Sequence, residues 1–435
     1  MAAPTKHTAT APEQPQRKRR RGRALLGVLL AGCGFVGTYG GLAATAPLPQ
    51  LQPAIAELNP HLAPSSAANV EQVLANLPHP SAVGYLHDPQ IRSNDSEKHS
   101  IASITKIVTA LVCLEQAPLP QHNFTHTFDA ADEQLTAEIA ELDGVVAPTP
   151  QGSTVTAAEL LDATLLASAN NYAVIYSREV FGSDAQFLAA ASDWLQRHGL
   201  TDTEIADASG LNPANRATTA DLIRLGQIAL EHPTVAAVIR KTEVTIPGIG
   251  TFQNTNPFSN NPDNRGIKTG TRDEGYYNLL AAAAGTHQDA PYTAITVVLQ
   301  RPNKEQRDAD SRLLLASLMR HSSDTLITAD QPVGTIETWQ GDTVTLVTAA
   351  PLTAELLPSA QPSLDAALEP VTAAVPAGTQ LGTVTAHGAI TAGTETAELA
   401  QVAVVTAEPI TEPDLWWRIT HPVVFKWWLA ELTGE

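Results

Sequence analysis

Ser103 and Lys106 stand three residues apart at the head of an apolar run, Ile101-Ala102-Ser103-Ile104-Thr105-Lys106-Ile107-Val108-Thr109-Ala110-Leu111-Val112. On a helix, residues i and i+3 share a face, so the Lys106 amine would sit one turn above the Ser103 hydroxyl. A serine hydroxyl is a weak nucleophile until a neighbouring base takes its proton. A lysine is such a base only when burial or a nearby cation depresses its pKa. Ile104, Ile107, Val108 and Leu111 bury this helix, so a lysine at its start calls for a reason. Taken alone, the pair is as compatible with an ordinary surface as with a reaction centre.

Two further clusters lie downstream. Ser168-Ala169-Asn170 is 65 residues beyond Ser103, and Lys268-Thr269-Gly270 a further 100 residues on. S-x-N occurs at many helix breaks and K-T-G at many strand ends. All three, in the order S-x-x-K, S-x-N, K-T-G, are the signature of the active-site-serine penicillin-binding and β-lactamase superfamily. The flanks narrow this. Residues 102–111, 165–173 and 266–271, with Asp207-Ala208-Ser209-Gly210-Leu211 and Asn254-Thr255-Asn256, closely resemble low-molecular-mass D-alanyl-D-alanine carboxypeptidases. The resemblance covers about residues 67–325.

It implies a serine-type D-Ala-D-Ala carboxypeptidase that removes the terminal D-alanine from peptidoglycan stem peptides and is acylated by β-lactams. Ser103 would be the acyl-ester nucleophile and Lys106 the general base. Ser168 would relay the proton to the leaving amine, and Asn170 would bond the substrate amide or orient Lys106. Backbone N–H groups of Ser103 and Thr271 would form the oxyanion hole. Lys268 would keep Lys106 neutral and attract the substrate carboxylate, with Thr269 as donor. Gly270 would let the substrate backbone lie against its strand. The family often carries an arginine between the two asparagines of the Asn254/Asn256 segment. Here Thr255 stands there, and Arg265 or Arg272 would have to substitute. No cofactor and no metal is implied.

These residues need elements to hold them. A short helix is expected near Ala68–Leu77, a strand at Ala82–His87 and a turn at Asp88-Pro89. Pro118-Leu119-Pro120 ends the Ser103 helix. Residues 121–150 are polar and read as an insertion with mixed turns. Thr156-Ala157-Ala158-Glu159 is a capping box that opens a helix through Leu165. Residues 167–171 break it, and a second helix runs from Tyr172 to Val180. Ser183–His198 and Thr219–Leu230 are amphipathic helices. Val244–Ile246, Phe252–Asn254, Arg265–Thr271, Tyr276–Ala284 and Tyr292–Gln300 read as strands, with a turn at Asp273-Glu274-Gly275. Ala309–Arg320 is a closing helix. The fold class expected is α/β: an antiparallel sheet packed with helices plus a helical block. Val/Thr alternation and glycine turns then predict a small β-rich domain.

The chain has 435 residues and a net charge of −19. Seven of its lysines and arginines lie in the first 46 residues, so the remainder carries about −25. That excludes nucleic-acid binding by the body, which would need basic surface. Cys33 and Cys113 allow neither a disulfide framework nor a thiolate metal site. Arg17 to Arg23 is a basic block, and Ala24 to Ala46 carries no charge. Three readings of this stretch stay open: a bilayer-spanning anchor, a signal cleaved at Ala44-Thr45-Ala46, and a lipoprotein box at Leu30-Ala31-Gly32-Cys33. Each exports the rest of the chain to the outer face of the cytoplasmic membrane or the cell wall.

The expected order is a disordered basic cytoplasmic N-terminus (1–23), a signal or signal-anchor (24–46) and a Pro-rich linker (47–66). The catalytic domain (67–325), the β-rich domain (326–410) and a Trp-rich tail (411–435) come after it. The tail holds four of six tryptophans, which either meet the membrane or pack on the β domain. Cys113 reads as a buried small hydrophobe, and His122 and His126 as surface residues. Among competitors, a β-lactamase of class A would need a glutamate for deacylation, and no E-x-x-L-N stretch follows Ser168. A DD-endopeptidase would use the same site. A catalytically silent wall-binding protein would not need Ser103, Lys106, Asn170 and Lys268 together.

Overall fold

The structure is a computed structural model. It describes Met1 and residues 16–60, 65–272, 276–389 and 396–433. The expected disorder of residues 2–15 and the expected turn at Asp273–Gly275 lie outside the described residues.

Helix α1 (Gln16–Thr45) contains the uncharged stretch. β1 (Pro53–Ile55) follows, in the segment expected to be a broken linker. It is an edge strand instead, paired antiparallel with a strand of the C-terminal domain through Ala54 opposite Thr335. Gly334 permits this, because a Cβ there would stand 2.4 Å from the Ala54 carbonyl oxygen. Three residues between prolines are too few to signal a strand by alternation. Only the partner reveals it.

The main α/β body begins with α2 (Ser65–Asn76), β2 (Ser81–Tyr85), β3 (Arg92–Ser93) and β4 (His99–Ser100). A 3-10 turn at Ala102–Ile104 leads into α3 (Thr105–Gln116). The polar insertion is more regular than its composition suggests. It holds β5 (Thr125–Thr127) and α4 (Ala130–Glu141), which Asp129 and Asp132 start as a reciprocal capping box. α4 buries only Asp132 and Ile139, so its apolar stripe is too thin to read. His126 is not a plain surface residue: its two ring nitrogens lie 2.9 Å from Asp132 and 2.7 Å from Glu179.

β6 (Thr154–Thr156) runs into α5 (Ala157–Leu166), where Thr156 and Glu159 form the expected capping box. α6 (Asn170–Phe181) and α7 (Asp184–Arg197) complete the helical block. β7 (Arg216–Ala217), α8 (Thr219–Glu231, capped by Thr218), α9 (Pro233–Ile239), β8 (Glu243–Ile246) and β9 (Gly250–Gln253) lead to β10 (Asn264–Arg272). β11 (Tyr276–His287), β12 (Ala290–Arg301) and α10 (Lys304–Leu318) close the body.

The main sheet is antiparallel, in the order β10-β11-β12-β2-β3. β11 is buried on both faces, so it reads as a continuous apolar run. Leu280 and Ala282 face the core shared with α3, α5 and α8, whereas Leu279, Ala281 and Ala283 join α2 and α10 behind the sheet. Cys113 is buried in the first core, and burial pushes its thiol up.

The C-terminal region contains β13 (Ser322–Ile327), β14 (Pro332–Glu337), β15 (Thr343–Thr348), β16 (Leu352–Leu356), β17 (Ser363–Leu368), β18 (Gln380–Gly388) and β19 (Ala397–Thr406). Its larger sheet has the order β1-β14-β15-β19-β18-β17, and β13 pairs with β16. The tail forms α11 (Leu415–Thr420) and α12 (Val423–Thr433), separated at Pro422. These helices lie against α1. The Tyr39 hydroxyl donates to the Ile419 carbonyl (2.7 Å), and its ring packs 5.1 Å from that of Phe425. The tryptophans divide: Trp427 packs on the β-domain core and stacks with Trp417, whereas Trp416 is 74% exposed.

Candidate active site

Ser103 sits in the 3-10 turn that opens α3, and its neighbour Ala102 is held at φ +50°. A residue with a Cβ enters this region only when its surroundings hold it there. Two glycines provide that surrounding. A Cβ on Gly210 (φ +86°) would lie 2.2 Å from the Ala102 oxygen, and one on Gly270 would lie 2.6 Å from the Ile101 oxygen. Gly270 therefore lets β10 close onto the turn that carries Ser103.

Lys106 is completely buried. Its Nζ lies 2.8 Å from Ser103 Oγ and 2.5 Å from the Ser209 carbonyl, and it also contacts Asn170 Oδ1. Burial and then the Lys268 charge hold this amine well below the ordinary lysine range, with Asp207 opposing. A neutral amine has two N–H donors and one lone pair. In that neutral form, with both donors spent on Asn170 and Ser209, the lone pair would be left for Ser103 Oγ, whose hydroxyl would donate to it. That is the geometry of a base beside its nucleophile.

Residue types alone do not mark Ser209 as a partner for Lys106. The signal is the Asp207–Leu211 motif, whose mechanical meaning appears only in three dimensions. The Asp207 carboxylate accepts from the N–H groups of Ser209 (2.6 Å), Gly210 (2.5 Å) and Asn212 (2.5 Å), folding a tight cradle. Thr109 on α3 ties the cradle down by donating to the Ala208 carbonyl (2.7 Å).

Asn170 begins α6 and is buried. Its N–H donates to the Val145 carbonyl (2.8 Å), and a Cβ on Gly144 would stand 2.8 Å from its Nδ2. Asn171 Nδ2 donates to the Ala147 carbonyl (2.7 Å) and to Thr136 Oγ1 (2.9 Å). The insertion is thus stitched to the start of α6 beside the site. Ser168 lies between α5 and α6 at φ +64° and is buried. Among the described residues its hydroxyl has no hydrogen bond to Lys106 or Ser103, so the direct link expected of a proton relay is not made in this state.

Lys268 lies on β10 and is 1% exposed; burial and then Arg307 lower its amine to about 7. Its nearest acceptors are the Thr269 carbonyl (3.2 Å) and hydroxyl (3.4 Å). Thr269 Oγ1 lies 2.8 Å from Thr255 Oγ1, so the threonine at the atypical position buttresses the K-T-G threonine. Thr271 is exposed, one residue beyond Gly270. Arg265 donates to the carbonyls of Pro262 and Asn264, and lines a separate cavity with His87 and Tyr292. Among the described residues no hydrogen bond or ion pair joins it to Lys268 or Thr269.

The sheet, helical block and three motifs place the chain in the fold class of the penicillin-binding proteins and serine β-lactamases. Its fold matches that of penicillin-binding protein 5 from Haemophilus influenzae, with a TM-score of 0.51 at 18% identity, over 82% of this chain and 100% of that one. The resemblance to low-molecular-mass D-alanyl-D-alanine carboxypeptidases holds: residues 91–303 match the family model described as D-alanyl-D-alanine carboxypeptidase. The D-alanyl-D-alanine carboxypeptidase DacC of Escherichia coli is 29% identical over 57% of this chain and 62% of its own length. The D-alanyl-D-alanine endopeptidase of the same organism is 28% identical over 37% of this chain and 49% of its own. The chain thus spans less than two thirds of either relative.

Proposed function

We propose that this protein is a serine-type D-Ala-D-Ala carboxypeptidase acting on peptidoglycan stem peptides. The observation that carries this reading is the buried Lys106 amine, whose donors are taken by Asn170 and Ser209 and whose lone pair is left for Ser103. Ser103 Oγ attacks the carbonyl carbon between the two D-alanines as Lys106 takes its proton. The tetrahedral oxyanion is met by the N–H groups of Ser103 and Thr271. The C–N bond breaks, and the proton passes from Lys106, with Ser168, to the leaving D-alanine amine. Water then hydrolyses the ester on Ser103. Asn170 orients Lys106. Lys268 and Thr269 meet the terminal carboxylate, and the free edge of β10 receives the substrate backbone as an added strand.

A fluorescent penicillin tests this. The full chain should label covalently and Ser103→Ala should not; label on the variant, or none on either, refutes the acyl-serine. A second reading, DD-endopeptidase, is favoured by the relatives that carry that name. Release of D-alanine from a diacyl-D-Ala-D-Ala peptide, against cleavage of cross-linked dimers, separates the two.

We further propose that residues 67–325 form the catalytic domain, held at the outer face of the membrane by an uncleaved Leu26–Thr45 anchor. Those 20 residues are long and apolar enough to cross a bilayer. Arg418 Nη1 donates to the carbonyls of Ala44 (3.4 Å) and Ala46 (3.1 Å), so the tail is tied to the A-x-A segment. Ala43 and Ala46 are buried there. Exposed Leu415, Trp416 and Leu429 then lie beside the anchor end, where an interface accepts them. Mass spectrometry of the membrane-extracted chain should find the N-terminal segment attached. A mature N-terminus at Pro47 would refute the anchor.

A further inference from the structure

Three ligand-bearing side chains converge far along the chain from the reaction centre, at the seam between the main sheet and the β13–β16 pair. His287 ends β11, His321 lies between α10 and β13, and Glu355 lies on β16. His287 is 4% exposed. Its Nε2 stands 3.0 Å from the Glu355 backbone carbonyl. A carbonyl only accepts, so Nε2 carries the proton and Nδ1 is left with its lone pair. That Nδ1 lies 3.1 Å from Nδ1 of His321. One ring nitrogen of each histidine and a carboxylate oxygen of Glu355 all lie within 4.8 Å of one another.

We propose that His287, His321 and Glu355 form a divalent transition-metal site, with zinc as the ion that best suits the donors. Two imidazole nitrogens on one tetrahedral zinc, each at ~2.05 Å, are separated by ~3.3 Å, close to the spacing found. The N–H to carbonyl bond on the far side of His287 is the outer-shell contact that fixes the tautomer of a ligating histidine. Two histidines and one carboxylate satisfy a borderline metal, and water completes the tetrahedron. The ion would join the end of the main sheet to the β13–β16 pair. It takes no part in acyl transfer, and the inference does not depend on the proposed activity.

The competing arrangement is a plain hydrogen bond, His321 Nδ1–H to His287 Nδ1. The full chain, extracted in detergent and stripped with chelator, is titrated with Zn²⁺ against a chromophoric competitor and with Co²⁺. The expected result is one ion per chain, the strong visible absorption of tetrahedral Co²⁺, and a raised thermal midpoint. His321→Gln should abolish all three, and Glu355→Gln should weaken Zn²⁺ binding at least tenfold. A parental far-UV circular dichroism spectrum and a cooperative thermal transition show that each variant is folded. No stoichiometric binding by the parent chain, or binding that persists in both variants, overturns the site.

Discussion

Cations are buried in two parts of the same α/β body, under opposite conditions. Arg301, on β12, is fully enclosed, and four of its five N–H groups find acceptors. It donates to Asp310 (2.8 Å), to the carbonyls of Pro80 (2.9 Å) and Leu299 (2.8 Å), and to Ser81 Oγ (2.7 Å). Lys106 and Lys268 are equally enclosed, but their hydrogen-bond partners are neutral oxygens, and each lies in the field of another cation. Burying a charge without a counter-ion is costly. A lysine escapes that cost by releasing its proton, which an arginine does not do. The paired arginine serves the fold. In the unpaired lysines burial favours the neutral amine, which has a lone pair to offer.

Removing each partner in turn tests this contrast. The largest effect is expected at Lys106. Lys106→Ala should slow acylation of Ser103 by about 10²–10⁴-fold, read by stopped-flow with a chromogenic β-lactam, while its denaturation midpoint moves less than that of an Asp310 variant. An acylation rate within a few-fold of the parent would end the assignment of Lys106 as base. Asp310→Asn should do the reverse. It leaves Arg301 buried beside a neutral amide, at a cost of about 3–5 kcal/mol in urea unfolding, yet the folded fraction should acylate at the parental rate. A loss of acylation without a loss of stability would show that the two regions are not separate.

The smallest effect concerns Lys268 and pH. Its amine titrates near 7 when folded, against 10.5 for an ordinary lysine. Between those values the unfolded chain holds a proton that the folded chain has released, so stability rises with pH. It is lost again as pH falls through about 7. Lys268→Met should remove this gain between about pH 7 and pH 8.5, an effect on the order of 2 kcal/mol. Parallel pH profiles for parent and variant would show that Lys268 stays charged when buried.

The elements that were legible before folding are those with local causes. The Thr156–Glu159 capping box, the Thr218 cap and the two-face apolar run of β11 depend on neighbours within a few residues. α4 and β1 were not legible. α4 is capped by acids and buries almost nothing, and β1 gains its identity from β14 alone. In the site, the three motifs could be picked out because each is short and keeps its own spacing. The Ser209 carbonyl could not, since a backbone oxygen leaves no mark on residue type. Nor could the true setting of Arg265, which faces another cavity, or the pairing of Thr255 with Thr269.

By itself the sequence determined which groups are present and which are close along the chain: a serine one turn from a lysine, and glycines at Gly210 and Gly270. Tertiary structure decided what those groups are. Ser103 and Lys106 are separated by three residues, but Asn170, Ser209 and Lys268 reach Lys106 from 64 to 162 residues away. The pKa of a lysine depends on what excludes water from it and on which charges face it, and those are properties of the packed interior. The Ser103–Lys106 pair is therefore encoded locally, while its basicity belongs to the fold.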